Sequence, residues 1–268
     1  MLTNAQINVA ATRLDEAERT RQQIGLLSIE HSGITLDDAY AIQRAWVAQK
    51  VARGRRIIGH KIGLTSKAMQ AALNIDTPDS GVLLDDMVFP DAGEVPAGRF
   101  IQTRVEAELA FVLKRDLDSP TLTMLDVIEA TDYVVPALEI LDTRVLRADP
   151  VTKVARKIFD TVADNAANAG IVMGGRPQRP NDLDMRWVGA IVARNAAVEE
   201  TGLAAGVLNH PAQGIVWLVR RLVEKEQHGL KAGEVVLSGS FIRPIEARKG
   251  DTIHADYGPL GSVSCHFA

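Results

Sequence analysis

The feature that most constrains this chain is a pair of glutamates one residue apart, Glu106 and Glu108, inside the otherwise aliphatic run Val105-Glu106-Ala107-Glu108-Leu109-Ala110-Phe111-Val112-Leu113. Alternate residues of a strand share a face, so both carboxylates project together while Val105, Ala107 and Leu109 fill the other side. Two adjacent anions on a half-buried face repel each other and lose hydration. A third acid, Glu139, lies in an equally apolar run, Tyr133-Val134-Val135-Pro136-Ala137-Leu138-Glu139-Ile140-Leu141. A hard divalent cation, Mg²⁺ or Mn²⁺, resolves all three costs, because it takes oxygen ligands and is held by a few carboxylates with positions left for water or substrate. The pattern therefore predicts a metal site made by Glu106, Glu108 and Glu139. The competing arrangement places the acids at solvent-facing strand edges, or pairs them with Arg104 and Arg144.

Overall composition excludes several partners. A net charge of -4 over 268 residues, few aromatics and no basic run leave no footprint for nucleic acid. No stretch approaches the ~18 apolar residues of a membrane span, and Met1 to Arg21 is polar and charged, unlike a signal peptide. These features predict a cytoplasmic protein with no membrane partner. The single cysteine, Cys265, excludes an intrachain disulfide or a zinc-cysteine cluster. Its strand neighbour His266 points the opposite way, so a buried thiol is expected and not a nucleophile-base pair.

The first fifty or so residues have helical character. Thr3 or Asn4 can cap a helix reaching about Gln23, and Thr35 with Asp38 forms a capping-box pattern before a second helix that ends at Gly54. From Ile57 onward short strands dominate, at Ile57 to Ile62, Arg104 to Leu113, Tyr133 to Leu141, Gly170 to Met173, Trp187 to Arg194, Glu234 to Ser238, Thr252 to Tyr257 and Ser262 to Phe267. Helices are expected over roughly Thr123 to Ala130 and after Pro211, where Ile215, Leu218 and Leu222 share a face. This order is not the alternation of a doubly wound sheet. It predicts an α+β fold, a helical N-terminal region (1–55) packed on a mainly β body (56–268).

Four segments taken together carry a resemblance: Gly59-His60-Lys61-Ile62-Gly63-Leu64-Thr65-Ser66, Thr77-Pro78-Asp79-Ser80-Gly81, the three glutamates, and Asp164-Asn165-Ala166-Ala167-Asn168. With Leu208-Asn209-His210-Pro211 and Leu237-Ser238-Gly239-Ser240, the chain resembles the hydratase and decarboxylase branch of the fumarylacetoacetase superfamily over nearly its whole length. The resemblance implies a mixed β-roll, a magnesium- or manganese-dependent enzyme acting on a small 2-oxo acid, and a homo-oligomer built on five-fold symmetry, a pentamer or decamer. It also implies that Glu106, Glu108 and Glu139 are the ligands.

Lys61 stands in an apolar strand, where an unpartnered ammonium is disfavoured, and a substrate carboxylate or enolate would supply the partner; the alternative is a lysine that snorkels from a strand end. By composition alone Asp79 is a turn residue. The resemblance instead makes it the proton-transfer group, since hydratases of this branch carry an acid there and the decarboxylases tend to carry an apolar residue. His60 faces away from Lys61 and is expected to pack or to support the site from behind, although in a C–C hydrolase of the superfamily a histidine near the metal would be the base. His210 reads as a helix cap. The resemblance assigns Asp164, Asn165 and Asn168 to the surroundings of the substrate. Ser238 and Ser240 could offer hydroxyls or backbone N–H groups to a carboxylate, or be ordinary turn residues. A dicarboxylate substrate would need a second cationic contact, for which Lys67, Arg144, Arg156, Lys157 and Arg243 all qualify. A catalytically silent subunit is the reading from another class, and it gives no reason to keep buried acids together.

Overall fold

The computed structural model describes residues 1–67, 70–71 and 75–268. Two curled sheets form the body. The larger contains β1 (Ile57–Gly63), β2 (Asp79–Leu84), β3 (Val88–Phe89), β5 (Arg104–Leu113), β6 (Thr131–Leu141), β7 (Asn168–Met173), β10 (Val235–Leu237) and β11 (Ile245–Glu246). Its order is β2-β1-β10-β5-β6-β7-β3, with β11 also on β5. The smaller sheet runs β4-β13-β12-β8-β9, from β4 (Gly93–Val95), β13 (Ser262–Phe267), β12 (Thr252–Asp256), β8 (Gly189–Arg194) and β9 (Ala197–Leu203). Both sheets are mixed, because β1 runs parallel to β10, β3 to β7 and β4 to β13. The architecture is the α+β class expected from the sequence.

Strand alternation divides the larger sheet into two faces with different contents. Val105, Ala107, Leu109 and Phe111 of β5 join Leu138 and Ile140 of β6, Val192 of β8, Ile253 of β12 and Phe267 of β13 in the main core. Helix α6 (Pro211–Glu226) closes that core with Ile215, Leu218, Val219 and Leu222, and α4 (Met124–Ala130) adds Val127 and Ala130. Cys265 is buried there, and burial pushes its thiol up to about 12, so it packs as a small apolar side chain. The opposite face of the same strands carries a smaller apolar group, with Ala110, Val135, Ala137, Ile171 and Leu237, and continues into the three glutamates.

Of the N-terminal helices α1 (Asn4–Thr20), α2 (Leu27–Glu30) and α3 (Leu36–Ala52), the first and third begin at reciprocal capping boxes made by Thr3 and Thr35, while α2 follows Leu26 with no side-chain cap. Their core does not close within the first 55 residues. Leu14, Leu27, Ile42 and Trp46 pack with Val145 and with Val162 and Ala163 of α5 (Ile158–Ala163). Helix α3 also grips the β body directly. The Gln43 side-chain amide donates to Ser80 O at 2.9 Å and Val162 O at 2.8 Å, and the Tyr40 hydroxyl accepts the Ser80 N–H at 3.2 Å.

Two elements depart from the sequence reading for clear reasons. Asp79 and Ser80 begin β2, which pairs antiparallel with β1, although Thr-Pro-Asp-Ser-Gly has turn composition; tertiary pairing and the α3 contacts override it. Strand β9 escapes the apolar pattern because it is an edge strand with most of its side chains exposed. The helix at the start also stops at Thr20, where Arg21 turns left-handed, short of the expected Gln23.

Arg144 and Asp164 form a fully buried ion pair behind β6. The Arg144 N–H donates to Asp164 Oδ2 at 2.8 Å, its guanidinium to Asp164 O at 2.7 Å and to Asn168 O at 3.3 Å, and it stacks over Trp46 at 5.1 Å. Removing one partner strands a buried charge, so Arg144→Ala or Asp164→Ala is expected to cost about 3–5 kcal/mol in urea unfolding. The double substitution to apolar residues should cost less than the two single changes added together.

Candidate metal centre and its surroundings

β5 and β6 pair antiparallel with Glu106 directly opposite Glu139, and Glu108 one pleat along the same face opposite Ala137. Each glutamate offers an oxygen within 4.8 Å of those of the other two. Glu108 and Glu139 are fully buried, and Glu106 is half-buried. Glu108 Oε2 accepts the Gly239 N–H at 2.8 Å, while Glu108 Oε1 and both Glu139 oxygens have no hydrogen-bond partner. Burial, then the Glu139 charge, pushes the Glu106 carboxyl up to about 8; burial and the neighbouring glutamates raise Glu108, and burial raises Glu139 against the pull of Lys61. Three clustered, desolvated carboxylates with orphaned oxygens fit a hard divalent cation.

Lys61 lies on the same face. Its register partners are Gly81 and Leu237, and Leu237 in turn lies opposite Ala110 on β5. Strand β10 ends at Leu237, and from there Lys61 Nζ reaches to 3.5 Å from Glu139 Oε1. Burial alone would pull the Lys61 ammonium down, but the charges of Glu139, Asp79, Glu106 and Glu108 outweigh it and hold the group protonated. Asp79 is opposite Gly63 on β1. A Cβ at Gly63 would collide with the Asp79 carboxylate and press on the Lys61 ammonium at 3.0 Å, so either side chain would have to shift to admit one. Both groups thus lie over the bare backbone of Gly63. Asp79 is almost fully buried, one of its oxygens has no partner, and burial raises its carboxyl above the usual range despite Lys61, Arg156 and the Gly63 N–H.

The remaining positions support these five. Asn165 accepts the Val82 N–H at 2.8 Å and donates to Val82 O at 2.9 Å, clamping β2 beside Asp79. It opens a run of three left-handed residues, Asn165, Ala166 and Ala167, at φ of 52°, 51° and 60°. Such a run persists only where its surroundings hold it, here through the Asn165 clamp and the Arg144 pair. Asp164 is engaged with Arg144, and the Asn168 carbonyl with the same guanidinium, so these residues position the strands and do not join the carboxylate cluster. Ser240 Oγ closes a local turn, donating to Ile242 O at 2.9 Å, while the Ser238 hydroxyl is buried without a partner. His210 caps α6, its Nδ1 accepting the Ala212 N–H at 3.1 Å.

His60 points to the other face, 3.8 Å from Glu234, and does not reach the glutamates. Burial lowers its imidazole to about 4, so it is neutral in the fold. A depressed folded value means that the unfolded chain binds more protons between about 4 and 6.5, so stability falls as pH drops through that window. His60→Asn should flatten the pH dependence of unfolding between those limits; an unchanged slope would mean that His60 stays charged.

Two contacts could not be found by pattern. The Gly239 N–H holds Glu108 from a turn at φ +118°, where a Cβ would strike Thr65. The Tyr257 hydroxyl, from the end of the smaller sheet, lies 3.0 Å from Glu108 O and 2.8 Å from Ala137 O, spanning β5 and β6 at one register pair.

If the glutamates hold a divalent ion, Mg²⁺ or Mn²⁺ at about 100 times its dissociation constant should stabilise the chelator-treated protein by about 2.7 kcal/mol in thermal melts. Glu139→Ala should abolish that increment. Equal stabilisation of the variant would move the ion elsewhere.

The chain is 56% identical over 257 residues to a 2-oxo-hept-4-ene-1,7-dioate hydratase of Escherichia coli, covering 96% of each sequence. It is 39% identical over 266 residues to a 2-keto-4-pentenoate hydratase of Paraburkholderia xenovorans, covering 99% of this chain and 96% of the relative. Among solved structures, a 4-oxalocrotonate decarboxylase from Pseudomonas putida G7, complexed with magnesium and adipate, superposes with a TM-score of 0.93 at 34% identity, covering 100% of this chain and 99% of that one. No protein-family model matches the chain.

Proposed function

Because the chain belongs to the hydratase and decarboxylase branch of the fumarylacetoacetase superfamily, we propose that it hydrates 2-oxohept-4-ene-1,7-dioate, through its 2-hydroxy-2,4-diene tautomer, to 4-hydroxy-2-oxoheptanedioate. The observation that carries the choice of hydration is the buried Asp79 carboxyl beside Lys61 on the glutamate face. Loss of CO₂ requires only an electron sink at C2, whereas adding water requires a group that gives and takes protons at carbon and at water. The name of the E. coli relative supports the seven-carbon diacid.

Glu106, Glu108 and Glu139 would hold magnesium, or manganese, which when bound supplies Lewis-acid polarisation of the substrate's 2-oxygen. The Lys61 ammonium, kept charged by four acids, binds the anionic head of the substrate and stabilises negative charge that develops at the 2-oxygen. Asp79, raised by burial, holds a proton to deliver to C5 while the 2-hydroxyl loses its own, giving the conjugated 3-en-2-one. The resulting Asp79 carboxylate then accepts a proton from the water that attacks C4. Protonation at C3 completes the addition and balances the proton lost from the 2-hydroxyl.

The protein would work in the cytoplasm as a homo-oligomer of five-fold symmetry, a pentamer or decamer. Exposed Trp187, Ile191, Val198 and Leu203 around β8 and β9 support self-association, and no helix among the described residues is long and apolar enough to cross a membrane.

Asp79→Asn should keep metal-induced stabilisation and lose hydration by about 10²–10⁴-fold, the usual contribution of a positioned acid-base group. Lys61→Ala should lower kcat/KM without changing metal content. Loss of dienol absorbance, product NMR and CO₂ trapping together distinguish hydration from decarboxylation. Metal-dependent CO₂ release by the unaltered protein would replace hydration by decarboxylation, and full turnover by Asp79→Asn would remove Asp79 from the mechanism.

A further inference from the structure

Beside the glutamate face stands a group of arginines that form no close ion pair among the described residues, although Glu246 lies opposite Arg104 in the strand register. Arg104 begins β5 on the same face as Glu106 and Glu108, two residues and therefore roughly 7 Å along the strand from Glu106. Arg147 and Arg156 come from the segment between β6 and α5, which folds back on itself: Ala148 and Ala155 form an antiparallel bridge, and the Arg156 N–H donates to Arg147 O at 2.9 Å. The hairpin is tied to the β body by its own arginines. Arg147 Nε donates to Gln102 Oε1 at 3.0 Å, just upstream of Arg104, and an Arg156 N–H donates to Thr143 Oγ1 at 2.8 Å, just beyond β6.

None of the three has a carboxylate within 4.0 Å among the described residues. The acids nearby are taken. Asp142 accepts the backbone N–H groups of Ile101 and Gln102, Asp164 is paired with Arg144, and Glu246 is paired with Arg248 at 3.2 Å. Burial, then the Arg156 and Arg104 charges, pull the Arg147 guanidinium down to about 10 against Asp142 and Glu246, while Arg156 is lowered by burial and, against the pull of Asp164, by Arg104 and Arg144. Arg104 shares a strand face with Glu106, which sets the cluster at the border of the glutamate face, and the Arg156 charge also pulls on the Asp79 carboxyl. The other cations considered for a second carboxylate are committed or exposed: Arg144 pairs with Asp164 and Arg243 with Glu200, Lys67 is exposed and donates to Gln70 at 3.3 Å, and Lys157 is exposed.

Half-buried guanidinium groups that repel one another, spare of acids and at the edge of an anionic metal site, require an anion of their own. We propose that Arg104, Arg147 and Arg156 form the subsite for the second carboxylate of a dicarboxylic 2-oxo acid, so that chain length is selected at the hairpin between β6 and α5. This rests on the hydration reading for the identity of the head group, but the selection for a diacid stands apart from the reaction that follows.

The test compares seven-carbon 2-hydroxy-2,4-diene-1,7-dioate with five-carbon 2-hydroxypenta-2,4-dienoate on the magnesium-loaded protein. Arg147→Gln and Arg156→Gln are each expected to reduce the diacid-to-monoacid ratio of kcat/KM by about 10- to 100-fold, the loss of one charge-assisted contact. Arg156→Lys, which keeps the charge, should recover part of the ratio and guards against a folding defect. A second readout uses unreactive ligands: calorimetry should show the preference for 2-oxoheptanedioate over 2-oxopentanoate falling by the same factor. Parallel loss on both substrates, or an unchanged ratio, overturns the subsite. If the unaltered protein turns over neither dienoate, the hydratase reading fails, and the calorimetric ratio still decides whether the arginines bind the far carboxylate.

Discussion

Everything in the site follows from placing like charges side by side in a protein interior. The antiparallel register of β5 and β6 sets Glu106 against Glu139, and the pleat sets Glu108 beside them. Left alone, such an arrangement would protonate or open to water. The fold compensates through Lys61, through the Gly239 N–H, and through a ligand set suited to a divalent ion. The cost is carried by a scaffold with two apolar faces, one packed between sheets and the other receding behind the carboxylates.

The helical region takes part in this chemistry without contributing a reactive group. Gln43 and Tyr40 of α3 hold Ser80, and Ser80 is bonded in sequence to Asp79. From the opposite side the left-handed turn at Asn165 clamps Val82. Strand β2 is thus held from α3 and from the Asn165 turn, and the Asp79 carboxyl inherits its position from one helix, one left-handed turn and the buried ion pair beside that turn. An acid in a sequence with turn composition would otherwise have several conformations open to it.

The metal cluster was legible because period-2 patterning is local: acids in aliphatic strands announce both their face and their cost. Lys61 was legible for the same reason. Asp79 was not, since its composition points to a turn and only pairing with β1 makes it a strand residue; family resemblance had to supply its role. Asp164, Asn165 and Asn168 were placed around the site by resemblance alone, and their contacts, which hold strands and the Arg144 charge, have no signature in the sequence. Tyr257 and Gly239 are distant in sequence from everything they hold, and no spacing rule connects them to Glu108. Arg156 stood among the cations named for a second carboxylate, but no pattern joined it to Arg104 and Arg147, because what sets the three apart is a shared place in the fold without close ion pairs among the described residues.

The Tyr257 hydroxyl has a consequence for how the site is assembled. It comes from the end of β12 and reaches the backbone carbonyls of one register pair, Glu108 with Ala137. A slip of two residues between β5 and β6 would preserve the inside-outside pattern yet part Glu106 from Glu139, and hydrophobic burial alone would scarcely notice it. Docking the smaller sheet does not choose between the two alignments, since backbone carbonyls recur every two residues, but it resists sliding once the pair has formed, because one phenol lies within reach of a carbonyl on each strand. The second sheet therefore braces the carboxylate strands from the face opposite the glutamates, and their spacing depends on two sheets far apart in the chain having met.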